Sequence, residues 1–144
     1  FALLFAHWIT GSGIPTQVVT HALGWDLTSW QFLLLFNVVM IFLGMFLDAI
    51  ACVLIVVPII LPLLDTLGID KIHFGIVLVV NMEIAFLTPP IGLNLFVISS
   101  VAKAPIAETI RGTAPFVALM IVFLLIITFI PEISTWLPSQ VFGR

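Results

Sequence analysis

Leu87-Thr88-Pro89-Pro90-Ile91-Gly92 interrupts an apolar stretch whose flanks otherwise read as one membrane-spanning helix. Proline lacks a backbone N–H and its ring clashes with the carbonyl four residues back, so Pro89 and Pro90 are expected to release the carbonyls of Ala85 and Phe86, at ~3 kcal/mol or more per interior proline. In hydrocarbon such carbonyls persist only where protein, a water-filled cavity or a ligand satisfies them. Interrupted helices are the device by which secondary transporters coordinate ions near the bilayer midplane.

On either side of the break, residues 72–87 and 91–102 read as the two halves of one discontinuous span, 72–102, broken at 88–92. The carbonyl end of the first half and the amide end of the second would meet there, one suited to a cation and the other to a carboxylate. Polar side chains gather nearby: Asn81 and Glu83 before the break, Thr88 in it, Asn94, Ser99 and Ser100 after it. Thr88 and Asn94 offer neutral oxygens, which a hard cation such as sodium prefers, and Gly92 allows close backbone approach. The competing reading of Thr88 and Asn94 is an interhelical hydrogen bond between packed spans. Glu83 reads equally as a coupling acid or as a carboxylate reaching into a polar cavity.

Upstream, residues 30–64 stay apolar for 35 residues, about 52 Å as one helix and well beyond a single crossing. Gly44 and Asp48 mark the centre, so the run is expected to fold into a hairpin of two arms, 30–43 and 49–64, with its tip at 44–48. An acid placed at such a tip costs roughly 2.5 to 3.5 kcal/mol inside a bilayer and usually marks an ion or proton pathway. The alternative puts Asp48 at a helix end or pairs it with a neighbouring helix. Pro58 and Pro62 are expected to kink or end the second arm.

The rest of the chain supports a membrane assignment. Hydrophobic residues make up 62% of it and charged residues 8%, with a mean hydropathy of +1.37, more apolar than a soluble core requires. Residues 1–29 read as the end of a span, 1–9, followed by a loop with a short helix from Pro15 to Leu23. The start at Phe1 inside an apolar segment suggests a piece of a larger membrane domain. His7 and His21 are expected to be packing residues, because no carboxylate or cysteine stands at metal-ligand spacing; Cys52 reads as a small core side chain. Residues 63–71 and 103–113 are expected to be polar connections, 115–131 an uncharged span, and 132–144 an interfacial tail with Trp136 and Phe142 in the aromatic belt. Lysine and arginine are most frequent in 103–113, which makes that loop the cytoplasmic candidate. No basic cluster points to nucleic acid.

These strings together carry a resemblance. Leu-Gly-Met-Phe-Leu-Asp (43–48), Pro-Ile-Ile-Leu-Pro (58–62), Gly-Ile-Asp (68–70) with His73-Phe74-Gly75, and Asn-Met-Glu-Ile-Ala-Phe-Leu-Thr-Pro-Pro-Ile-Gly-Leu-Asn-Leu-Phe (81–96) resemble the large membrane subunit of the tripartite ATP-independent periplasmic (TRAP) transporters. The likeness covers nearly the whole chain and would correspond to roughly the last third of that subunit; position 85, an alanine here, is where glycine would be expected. The resemblance implies an all-α, multi-pass protein of the bacterial inner membrane, not an enzyme. It would be a helical bundle forming the second inverted repeat of an elevator-type transporter, with 30–64 a re-entrant hairpin. It implies sodium-driven import of an organic acid, with C4-dicarboxylates favoured over sialic acid. No cofactor is implied, only sodium as coupling ion, and the partners would be a periplasmic substrate-binding protein and a small membrane subunit. The ion site would comprise Gly44, Asp48, Ala85, Phe86, Thr88, Pro89 and Gly92. Substrate would meet Thr88, Pro90, Gly92 and Asn94, with Asn81 and Glu83 as possible coupling residues. A stand-alone sodium/carboxylate carrier of related fold would share the hairpin and the break. An intramembrane hydrolase using Asp48 and Glu83 lacks any partner motif, and a purely structural subunit would leave two costly helix breaks and two membrane acids unexplained.

Overall fold

The computed structural model describes residues 27–142, together with positions 8, 11–13, 17, 20 and 24. The expected span end at 1–9, the short helix from Pro15, and His7 and His21 rest on residues outside those described. Among the described residues there are six helices and no strand: α1 Ser29–Gly44, α2 Ala49–Leu67, α3 Lys71–Phe86, α4 Leu93–Ala102, α5 Ile106–Phe129 and α6 Glu132–Phe142.

The core forms where α1, α3 and α5 meet. Phe32, Leu33, Phe36 and Met40 of α1 pack against Phe74, Val77, Leu78 and Met82 of α3, with Leu124 and Ile127 of α5 closing the cluster. These positions recur at three- and four-residue intervals, the spacing that puts side chains on one helical face. The Phe36 and Phe74 rings lie 4.8 Å apart between centroids. At one end the Ser29 hydroxyl donates to the Leu67 carbonyl at 2.8 Å; at the other, Gly44 lies against Ala85. α1 and α3 are therefore parallel and begin and end at matching levels. α5 returns in the opposite direction, bringing Phe129 to 6.2 Å from Trp30.

Local chemistry fixes the helix ends. Asp48 caps α2 by accepting from the Ala51 N–H at 2.9 Å, and Asp70 caps α3 by accepting from Ile72 and His73 at 2.8 and 3.0 Å. Side-chain acceptors at this position satisfy amides that the first turn leaves free. Gly68 ends α2 in the left-handed conformation, φ 66°, and the next amide, Ile69, bonds back to Leu64 at 2.9 Å.

Three expected boundaries change. Pro58 and Pro62 lie inside α2 and do not end it; the helix runs to Leu67. Four residues apart, they sit on one face, so the carbonyls they leave without amide partners, those of Leu54 and Pro58, fall on a single side; one turn on, Thr66 donates its hydroxyl to the Pro62 carbonyl at 3.1 Å. The expected connection 63–71 thereby shrinks to 68–70. The connection 103–113 likewise shrinks to 103–105, because α5 starts at Ile106 and carries Pro115 within it. Pro105 immediately precedes that helix, and Thr109 and Thr113 donate to carbonyls one turn back.

Among the described residues two helices, α2 with 19 residues and α5 with 24, are long and apolar enough to cross a bilayer, and only 17% of each apolar window is buried. A soluble core helix would be covered by its own protein. Instead Val101 is 79% exposed, Val38 69% and Leu119 67%, an exterior that requires hydrocarbon or further protein around it.

Candidate ion and substrate site at the hairpin tip and helix break

The break occupies residues 87–92, between the end of α3 and the start of α4. Thr88 seals much of the open end of α3. Its amide donates to the Ala85 carbonyl at 3.1 Å and its hydroxyl to the Ile84 carbonyl at 2.6 Å; Leu87 N–H also donates to Ile84 at 3.1 Å. The expectation that both Ala85 and Phe86 carbonyls would be free is corrected accordingly. A tightened final turn pairs Ala85, and the Phe86 carbonyl alone is left without a hydrogen bond among the described residues. Two prolines follow at the positions that would otherwise supply its donor. The peptide bond between them is cis.

Gly92 starts α4 with φ 39°, a region that side chains other than glycine's rarely adopt. A Cβ there would lie 2.9 Å from the Thr88 carbonyl oxygen and 2.8 Å from Leu95 Cδ1. Gly92 is thus required both by its backbone angle and by the closeness of Thr88. Asn94 is half-buried on the first turn of α4, Leu95 is fully packed behind it, and Pro89 and Pro90 are exposed.

The hairpin tip reaches this end of α3. After Gly44 the chain turns through residues 45–48, with Phe46 and Leu47 both donating to the Leu43 carbonyl. Gly44 is buried, and a Cβ on it would stand 2.7 Å from the Cβ of Ala85. The tip therefore meets the helix one residue before the unpartnered Phe86 carbonyl. Asp48 is exposed and spends one carboxylate oxygen capping α2, so the helix-end reading describes its position, with the second oxygen carrying no hydrogen bond among the described residues.

Two candidate residues lie elsewhere. Glu83 is exposed on the outer side of α3, and no hydrogen bond or ion pair joins it to Asp48. Asn81 is fully buried one turn before Ala85, and its amide nitrogen donates to Asn37 Oδ1 at 2.8 Å and to the Val77 carbonyl at 2.8 Å. Asn37 in turn donates to Thr128 Oγ1 at 2.9 Å, and that hydroxyl donates to the Leu124 carbonyl at 2.7 Å. Asn37 and Thr128 escaped the sequence reading. Their signal was present, since each is a lone polar side chain inside an apolar arm, which in membrane helices usually means a cross-helix hydrogen bond.

A separate cavity of about 890 Å³ lies at the opposite end of the bundle, between the starts of α1, α3 and α6 and the end of α5. His73 lines it, 2% exposed, with neither ring nitrogen hydrogen-bonded among the described residues.

Residues 2–133 match the family described as "Tripartite ATP-independent periplasmic transporter, DctM component". The chain is 46% identical over 138 residues to the C4-dicarboxylate TRAP transporter large permease protein DctM of Pseudomonas aeruginosa, covering 96% of this chain and 32% of that protein. It is 41% identical over 132 residues to the isethionate TRAP transporter permease protein DctMQ of Oleidesulfovibrio alaskensis, 92% of this chain and 21% of the relative. It is 35% identical over 111 residues to the sialic acid TRAP transporter large permease protein SiaM of Vibrio cholerae, 77% of this chain and 26% of the relative. The chain thus spans about a third of the length of the curated C4-dicarboxylate relative. A chain whose described residues are helical, with a hairpin tip seated on a proline-broken helix and a family match over residues 2–133, belongs to the DctM family of TRAP transporter large permeases.

Proposed function

We propose that this chain is the last third of a large permease subunit that imports organic acids by sodium symport across the bacterial inner membrane. The observation that carries the proposal is the seating of Gly44 on Ala85 beside the unpartnered Phe86 carbonyl. Sodium takes oxygen ligands, and this junction offers the Phe86 carbonyl, the Thr88 carbonyl and hydroxyl lone pairs and the free Asp48 oxygen on adjoining segments. The amide end of α4, with Gly92 permitting close approach, would receive a substrate carboxylate, and Asn94 would orient it. Pro89 and Pro90 hold the break open. Glu83 and Asn81 act outside the ligand shell.

Coupling follows from the shared geometry. A cation that holds the tip to the break stabilises the same arrangement the carboxylate needs, so each raises the affinity for the other by an equal factor. C4-dicarboxylates are the first substrate choice, because that is the name carried by the relative with 46% identity. A periplasmic binding protein would deliver the acid and a small membrane subunit would brace the complex, with this repeat moving as part of an elevator domain.

The test is uptake of labelled C4-dicarboxylate, isethionate and sialic acid into proteoliposomes containing the complete permease and its small subunit. A sodium gradient and the binding protein should both be required. Sodium-dependent uptake without the binding protein would point to a stand-alone carrier, and sodium-independent uptake would overturn the coupling assignment.

A further inference from the structure

We infer that Asn37, Asn81 and Thr128 form a buried hydrogen-bonded clamp that sets the register of α1, α3 and α5 and so positions the hairpin tip against the break for cation binding. The inference rests on the sodium reading above, and adds positioning residues outside the site. The chain of bonds is continuous and directional: Asn81 donates to Asn37, Asn37 to Thr128, and Thr128 to the Leu124 carbonyl. All three side chains are at most 4% exposed.

Around the clamp, the contact between α1 and α3 is apolar, with Phe32, Phe36 and Met40 of one and Phe74, Leu78 and Met82 of the other in one cluster. Such an interface specifies register weakly in a membrane, where lipid is as apolar as leucine and helices gain little from burying it. A slip of one turn would move the tip about 5.4 Å along α3 and carry Gly44 away from Ala85. Among the described residues, only the clamp penalises that slip by breaking directional bonds. Its leverage is short. Asn81 lies one turn before Ala85, and Asn37 two turns before Gly44.

The clamp is also poorly designed for stability, which separates positioning from mere packing. Asn81 Nδ2 sits between two acceptors, Asn37 Oδ1 and the Val77 carbonyl. Turning the amide over would set oxygen against oxygen, so its orientation is fixed and its own Oδ1 stays buried with no partner. An unpaired buried acceptor is a cost that an apolar side chain avoids, and replacing both partners of a buried polar pair by apolar groups of similar shape is often neutral or stabilising. What the apolar pair would lose is register.

The experiment uses the complete permease with its small subunit in proteoliposomes. It compares wild type with Asn37→Leu/Asn81→Leu, reading the sodium concentration for half-maximal uptake, the maximal rate and the melting temperature. The double variant should melt no lower than wild type. Its sodium half-saturation should rise about tenfold, corresponding to ~1.4 kcal/mol, with the maximal rate at saturating sodium kept within about twofold. Met82→Ala, which removes packing beside the clamp without touching it, should lower the melting temperature and leave sodium half-saturation unchanged. If the double variant fails to accumulate, Thr128→Val carries the test, with a rise of about threefold for one membrane hydrogen bond. Unchanged sodium half-saturation in the clamp variant, or an equal rise in Met82→Ala, would overturn the inference while leaving the sodium reading intact. Absence of sodium activation in wild type would overturn both.

Discussion

Gly44→Ala tests the seating of the tip most directly. The added methyl would stand 2.7 Å from the Ala85 Cβ, whereas carbon atoms in contact prefer about 3.5 to 4.0 Å. α1 and α3 must therefore separate by roughly 1 Å at the tip, or the tip must turn aside. Inserting a methyl into a packed contact typically costs ~1 to 3 kcal/mol. If that cost falls on the cation-binding arrangement, sodium half-saturation rises by at least about fivefold. Ala85→Gly removes the opposing methyl. Alone it should cost ~0.5 to 1 kcal/mol of helix stability and change sodium activation little; combined with Gly44→Ala it should return half-saturation to within about twofold of wild type. The assay is sodium titration of uptake in proteoliposomes for the four members of the cycle, with melting temperatures measured alongside. Normal sodium activation in Gly44→Ala, or failure of Ala85→Gly to rescue a folded Gly44→Ala protein, would refute the argument that this contact governs the site.

Three further outcomes follow from the same geometry. Asp48→Asn should keep the α2 cap, since asparagine caps as well as aspartate, so the protein should fold normally while sodium dependence weakens; unchanged sodium titration in uptake would remove Asp48 from the ligand set. Gly92→Ala combines a φ of 39° with a 2.9 Å approach to the Thr88 carbonyl, and should lose ~1 to 3 kcal/mol of stability together with most transport, as read by melting temperature and initial uptake rate. Pro89→Ala/Pro90→Ala restores amides able to pair the Phe86 carbonyl and should abolish transport in a protein that still reaches the membrane; normal uptake would show that the break is incidental.

The broad plan was legible because its signals are local and costly. A glycine followed by an acid at the centre of an apolar run, and two adjacent prolines in another, identify the two interruptions directly. What they could not give was where each broken end finds its partners. Thr88 pairs the last turn of α3 by donating to Ile84 and Ala85, so one carbonyl is left where two were expected. The prolines of α2 misled for a related reason. Proline removes a donor and crowds a carbonyl, yet here the loss is two bonds on one face of a 19-residue helix, and α2 continues through both prolines to Leu67. Asn37 and Thr128 were visible only as lone polar residues in apolar runs; that Asn37 bonds Asn81, 44 residues away, and Thr128, 91 residues away, has no sequence signature.

Were α3 and α4 to cross a bilayer end to end as one broken span, their unequal lengths would carry an electrical consequence. α3 has 16 residues and α4 has 10, about 24 and 15 Å of helix, so the break lies nearer the end marked by Ala102. A monovalent cation that reaches it from that end crosses roughly two-fifths of the voltage drop. At ~2.3 kcal/mol per charge per 100 mV, its affinity there would change by ~0.9 kcal/mol, or about fivefold, for each 100 mV. The membrane potential would act on occupancy itself, before any larger movement of the protein.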